Sequence, residues 1–530
     1  MLVMEKEDMF AHKLVAVPER AKTANRDIYD IWYFLKNRWP INKEIVEKRN
    51  PIMTKLLATC TLALAMAAAS VASAPVATER VPAARAAGAL TPVPTASAVF
   101  APAAGASLDF DKSEYTARRQ TLMAQIPDGI AIIQGSLVGP LNNEFLQNNE
   151  FIYLCGVKLP RAVLIVDGIH QESILFYSTR ENYLRNEGLS LDFALDPKGA
   201  TGIEKTYPAN ELMTVLTGLA AQAKVIYTPL TPEGPPQEVA PDSELDGRLT
   251  RERQFARMIQ QRFPKVEVRD CTNMLWDMRR IKTPAEIEVL RQASRISVQA
   301  MIEVMKEARV GQYEYELSAL FEYVCKRQGC RRVFDYNVII SSAENHPYLH
   351  YYRHNRKLVD GDFLVVDSGA DYRDYDSDIT VSFPINDKFS PRQREIYEAC
   401  NAVSKACLLF YKPGITAYEV GAAVRQKLQE EGYDLTSDAF TRLRYFKEGG
   451  VTHHVGLATH DAGGSDKPKD QPLRAGEVIA SDVFAVFQDE NLGVRVENVV
   501  LITETGCENL SAGLPREISE IEALMKGNRK

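Results

Sequence analysis

The chain of 530 residues holds only eight cysteines, and no two of them form a CxxC pair. That excludes a thiolate zinc site and a thioredoxin-like redox motif. Histidine and tryptophan are scarce too, eight and three residues respectively. A basic excess is missing: 63 Lys and Arg face 70 Asp and Glu, for a net charge of −7. Nucleic-acid binders advertise the opposite balance, so no nucleic-acid partner is expected. Over residues 107–270 no Gly-rich turn joins a strand to a helix, which leaves a dinucleotide site there unsupported. No repeat of 20 to 50 residues is visible, so a solenoid or propeller is out. What remains, 45% hydrophobic and 25% charged, is the composition of an ordinary globular chain of several domains.

The first hundred residues differ from the rest. Residues 53–107 are alanine-rich and carry only four charges, Lys55, Glu79, Arg80 and Arg85. Met53, a lysine, an apolar run from Leu56 to about Ala69 and the small residues Ala72-Ser73-Ala74 stand in the order of a signal peptide. The apolar run is shorter than the roughly 20 residues a bilayer span needs, so no stable membrane anchor is expected. Residues 53–77 therefore predict export, to the periplasm or outside the cell, and 78–106 read as an Ala/Pro-rich tether. Residues 1–52 precede this pattern as a segment joined upstream. There RDIYDIWYFLK (Arg26–Lys36) is an amphipathic helix that resembles the C-terminal part of nucleotidyltransferase-type abortive-infection toxins. The likeness includes no nucleotide-binding element, and no activity is assigned to it.

Two folded domains are expected beyond. Over 107–270, a helix from Ser113 to about Ile126 leads into apolar strands at 129–135, 161–168, 172–178 and 224–230, with a helix at 209–223 before the last. That alternation predicts an α/β domain. The domain at 271–530 opens on Thr283, Pro284 and Glu286, a capping box with proline at the first helical position. Helices to about Ala308 and over 313–328 follow, then strands at 333–340, 362–369 and 377–383. Ser390 and Gln393 cap another long helix, and strands at 476–487 and 493–503 close the pattern. Helices followed by antiparallel strands predict an α+β domain.

Its chemistry rests on misplaced charge. Asp367 ends the apolar run LVVD, and Asp378 follows 11 residues later at the start of SDITVSF. Glu497 lies inside VRVENVVLI and Asp482 inside IASDVFAVF. A charge in so apolar a strand is costly unless paired or metal-bound. Several carboxylates brought together would partly protonate without a cation. A pair of divalent ions is the economical remedy, and carboxylate with imidazole suits Mn, Co, Zn or Fe. Imidazole is close at hand in THHVGLATHDAGG, with His453, His454 and His460.

With these residues in view, the second domain resembles the pita-bread metallopeptidases, in their aminopeptidase P/prolidase branch. The first resembles the aminopeptidase P N-terminal domain, through FIYLCGV at 151–157. The fold implied is an α/β N-terminal domain followed by an α+β pita-bread catalytic domain. The resemblance implies two divalent ions, with Mn first and Co, Zn or Fe as alternatives. It implies that Asp367 holds one ion, that Asp378 and Glu497 bridge both, and that His453 and Asp482 complete the ligands. It also implies that His350 contacts substrate in the cleft, that His460 stabilises the oxyanion, and that Arg495 orients the neighbouring carboxylates.

The activity implied is release of the N-terminal residue from Xaa-Pro peptides by a hydroxide shared between the two ions. Asp482 would take the water's proton, and a homodimer is the expected assembly. A prolidase-like dipeptidase and a non-catalytic peptide binder are the rival readings. Two positions depart from the pattern. Asp482 stands where the family has a longer glutamate, and Gly449 where it has a cleft histidine.

Overall fold

The computed structural model describes residues 108–137, 145–186, 189–231, 249–333, 337–463 and 469–527. The upstream helix, the export signal and the tether, all within 1–106, lie outside these residues. Among the described residues no helix is long and apolar enough to cross a membrane.

The N-terminal domain begins with helix α1 (Lys112–Gln125) and strand β1 (Gly129–Gln134). Then come α2 (Asn149–Cys155), β2 (Val163–Asp167), β3 (Glu172–Tyr177), β4 (Lys205–Pro208), α3 (Leu212–Ala220), β5 (Val225–Thr228), α4 (Arg251–Arg262) and β6 (Glu267–Asp270). The six strands lie in the order β4-β3-β2-β1-β5-β6. Strand β1 runs antiparallel to β2 and parallel to β5. Both faces of this sheet are covered, which is why its central strands β1, β2 and β5 are largely apolar rather than alternating. Ile130 and Ile132 pack with Leu216 and Ile259 on one side. Ala131 and Ile133 join Leu122 and Phe151 on the other. The expected helix at 209–223 forms as a short 3-10 turn followed by α3.

Helix α5 (Thr272–Arg280) leads into α6 (Pro284–Glu307), whose capping box forms as the sequence predicts. Next come α7 (Glu314–Arg327), β7 (Arg332–Val333), β8 (Ile339–Ser342), β9 (Phe363–Ser368), β10 (Ala370–Tyr372), β11 (Tyr375–Asp376) and β12 (Ile379–Pro384). The chain continues through α8 (Pro391–Leu408), α9 (Ala417–Glu430), β13 (Val451–His454), β14 (Val478–Phe487), β15 (Leu492–Ile502) and β16 (Cys507–Asn509). The main sheet has the order β13-β14-β15-β12-β9-β8, with β16 on β15. Strands β10 and β11, from the connection between β9 and β12, form a small sheet with β7 in the order β11-β10-β7. The structure therefore has the expected α/β and α+β architecture.

One expected element divides. The run VFDYNVII at 333–340, read as one strand, gives β7 in the small sheet and β8 in the main one. Asn337, between them, has a φ of +67°, a left-handed turn of backbone that no continuous strand accommodates. Residues 334–336 lie outside the described set.

Candidate metal centre

Pairing register builds the site. On the main sheet Thr380 of β12 stands opposite Asp367 of β9 and Glu497 of β15. Glu497 in turn stands opposite Asp482 of β14. The three acids therefore occupy one level across neighbouring strands and share a face. Asp378 immediately precedes β12 rather than lying inside it. Its approach to Asp367 depends on Gly369, where a Cβ would meet the Ser377 carbonyl oxygen at 1.5 Å. Edge strand β13 brings His453 alongside β14.

Ligand atoms of Asp367, Asp378 and Glu497 lie within 4.8 Å of one another, and so do those of Asp378, His453 and His460. His453 Nδ1 lies 3.0 Å from the His454 carbonyl oxygen. That bond fixes the ring so that Nε2 faces Asp378 Oδ2 at 3.5 Å and Glu497 Oε1 at 4.0 Å. The His453 and His460 ring centres are 4.1 Å apart, and His350 and His460 are 6.4 Å apart. Arg495 binds Asp367 Oδ2, reaches Asp482 Oδ1 at 3.0 Å and meets Glu497 Oε2 at 3.2 Å. Thr380, which sequence reasoning passed over, donates its hydroxyl to Glu497 Oε2 at 2.7 Å.

The electrostatics call for a cation. Asp367, Asp378, Asp482 and Glu497 are all at most 2% exposed. Burial, with Glu497 and Asp367 alongside, pushes Asp378 well above the carboxylate range. Burial also raises Asp367 against the pull of Arg495. It lifts Asp482 and Glu497 to about 7, again against Arg495. Burial and neighbouring His460 hold the His453 imidazole well below its ordinary value, hence neutral and able to donate a lone pair. Asp367 Oδ1, Asp378 Oδ1 and Glu497 Oε1 are buried without a hydrogen-bond partner. Orphaned oxygens facing a neutral imidazole are a donor set for divalent ions, and the residues present fit them. Asp482 belongs to neither close set of ligand atoms and is held by Arg495 instead.

The remaining histidines separate by surroundings. His350 is exposed beside a cavity of about 380 Å³ that Tyr348, Tyr352 and Arg353 help line. His346 is structural, with Nδ1 3.0 Å from Ser341 Oγ and Nε2 3.1 Å from the Phe363 carbonyl oxygen. His354 Nε2 accepts from the Ile340 amide. His454 is buried with Nε2 3.6 Å from Glu477. Gly449, at a φ of +55°, has Val420 Cγ1 2.5 Å from where its Cβ would stand, so the backbone leaves no room for the family's histidine.

A buried carboxylate and imidazole centre in a pita-bread sheet defines a metal-dependent hydrolase. Comparison with known proteins agrees. Metallopeptidase family M24 matches residues 288–504, and the aminopeptidase P N-terminal domain matches 115–227. The Xaa-Pro aminopeptidase of Escherichia coli is 31% identical over 450 residues, 80% of this chain and 99% of that protein. A putative aminopeptidase P from Bacillus anthracis superposes with a TM-score of 0.68 at 26% identity, over 79% of this chain and 99% of the other. The E. coli aminopeptidase P bound to the inhibitor Pro-Leu gives 0.65 at 26% identity, with the same coverage. The chain belongs to the aminopeptidase P branch of metallopeptidase family M24.

Proposed function

We propose that this protein is an exported Xaa-Pro aminopeptidase acting through two divalent ions, Mn in the first place. The observation that carries the reading is the trio of carboxylates with orphaned buried oxygens, two of which, Asp378 and Glu497, face a neutral His453. Similarity over nearly the whole length of an Xaa-Pro aminopeptidase supports the activity. Asp367, Asp378, His453 and Glu497 would hold the ions, with Asp482 as the remaining candidate ligand. The ions would supply Lewis acidity and a water of lowered pKa.

The protein's own groups do the rest. Arg495 fixes the orientation of three carboxylates through charge-assisted bonds. Asp482 takes a proton and returns it to the leaving proline nitrogen. His460 faces the ligands and stabilises negative charge on the scissile carbonyl oxygen. His350 contacts the peptide from the exposed side of the cleft. The carboxylate-rich donor set favours Mn, while the imidazole admits Co, Zn or Fe. Export follows from Met53–Ala77, and a homodimer is the expected assembly.

Turnover of Xaa-Pro tripeptides and Xaa-Pro dipeptides, before and after chelation, tests the activity. Release of the first residue from tripeptides, lost on chelation and restored by Mn, is the expected result. Dipeptide-only cleavage would make the protein a prolidase, and no cleavage with either would make it a binder. Metal analysis reads ion number and light scattering reads assembly. N-terminal sequencing of protein from its native host reads export, and a cytosolic product beginning at Met1 would refute it.

A further inference from the structure

His460 lies in a segment between β13 and β14 where residues 455–463 form no helix or strand. Its position must therefore be set by tertiary ties, and one set of ties is fully buried. The next residue, Asp461, is 1% exposed. Its Oδ2 accepts from Lys282 Nζ at 2.9 Å and its Oδ1 pairs with Arg279 Nη2. Arg279 Nη1 in turn donates to Glu150 Oε1 at 2.9 Å. Two cations and two anions thus form a neutral chain, with every side chain about 1% exposed.

Each end of the chain belongs to a different part of the protein. Glu150 lies in the first turn of α2 of the N-terminal domain, and its neighbour Asn149 also donates to the Leu457 carbonyl oxygen at 3.0 Å. Arg279 and Lys282 stand at the end of α5 and just beyond it, where the first domain gives way to the second. Arg280 adds a bond to the Ala462 carbonyl oxygen at 3.2 Å. The Asp461 amide is tied back to the His454 carbonyl oxygen at 3.0 Å. Both carboxylate oxygens and the amide of the residue beside His460 are therefore fixed. A buried ion pair is weak as a source of stability but defines one arrangement, because any other leaves a charge unpaired.

We propose that Glu150, Arg279, Lys282 and Asp461 are positioning residues that aim the His460 ring at the metal centre. Through them the N-terminal domain, which supplies no candidate ligand among its described residues, takes part in catalysis. The proposal rests on His460 acting in Xaa-Pro cleavage as described above. Misplacing a catalytic group by about 1 Å costs on the order of 100-fold in rate.

The experiment is a double-mutant cycle on the full-length, Mn-loaded chain with an Xaa-Pro tripeptide. Asp461→Asn is expected to lower kcat by about 100-fold with KM within about twofold and metal content unchanged. In a His460→Ala background the same change is expected to cost less than about twofold, because the group it aims is gone. Asp461→Asn leaves two cations facing a neutral amide and could fail to fold, so Glu150→Gln, at the far end of the chain, is run in parallel. It is expected to give a smaller kcat loss with the same dependence on His460. Hydrogen exchange read by mass spectrometry is expected to quicken in 455–462 in Glu150→Gln, with the main sheet unchanged. Losses that multiply fully in the His460→Ala background would overturn the proposal, as would unaltered exchange in 455–462. If the wild type cleaves no Xaa-Pro peptide, the functional reading fails, and the exchange result alone decides whether the four charges hold the segment.

Discussion

Asp482 offers a sharp test of the site's electrostatics. It is 2% exposed, and burial lifts its carboxyl from 3.8 to about 7 despite Arg495. In the unfolded chain the same group ionises near 3.8, so between these two values the folded protein binds more protons. Stability of the metal-free protein must then fall as pH rises from about 4 to 7 and level off above. The full shift corresponds to about 4 kcal/mol, more than half of which falls between pH 5 and 8. Asp482→Asn removes the titration while its amide oxygen still accepts from Arg495. Urea melts of chelated protein at pH 5 and pH 8 make the comparison. The wild type should lose stability across the interval, and the variant less of it by about 2 to 3 kcal/mol. Adding Mn should flatten the wild-type dependence, because bound cations offset the crowded carboxylates. A metal-free wild type equally stable at both pH values would refute the reasoning, as would an asparagine variant with an unchanged slope.

Three further outcomes follow from the same geometry. On the proposed two-ion reading, Asp378→Asn and Glu497→Gln should lose both ions by metal analysis and abolish turnover, whereas Asp367→Asn should chiefly weaken one. Asp482→Glu should lower activity and stability together, because an added methylene in this packed site typically costs about 1–3 kcal/mol; a rise in kcat at constant KM would instead show that the shorter acid limits proton transfer. Gly449→Ala should destabilise the fold by at least about 2 kcal/mol in urea melts, since a left-handed residue costs about 1–2 kcal/mol and its Cβ meets Val420.

Much of the catalytic domain was legible because its signals are local. The capping boxes at Thr283 and Ser390 are hydrogen bonds between residues three apart, and both form as read. The apolar runs around Asp367, Asp482 and Glu497 became strands because so many β-branched side chains fit a pleated, buried surface. The acids inside those runs announced a site, since an unpaired charge has no reason to be there.

Position relative to other strands was not legible. Register set Asp367, Glu497 and Asp482 on one level, yet left Asp482 outside both close sets of ligand atoms. The resemblance gave His350, His453 and His460 separate roles, but only its surroundings show what His346 does. His346 is spent on a buried serine and a carbonyl, while His453 turns its free nitrogen to two acids. Likewise Asn337 reads as one residue of a strand, but its backbone turn sends β7 and β8 to different sheets. Glu150, Arg279, Lys282 and Asp461 gave no signal at all. Charged residues are ordinarily solvated, and only the packing of two domains removes the water that would otherwise separate these four.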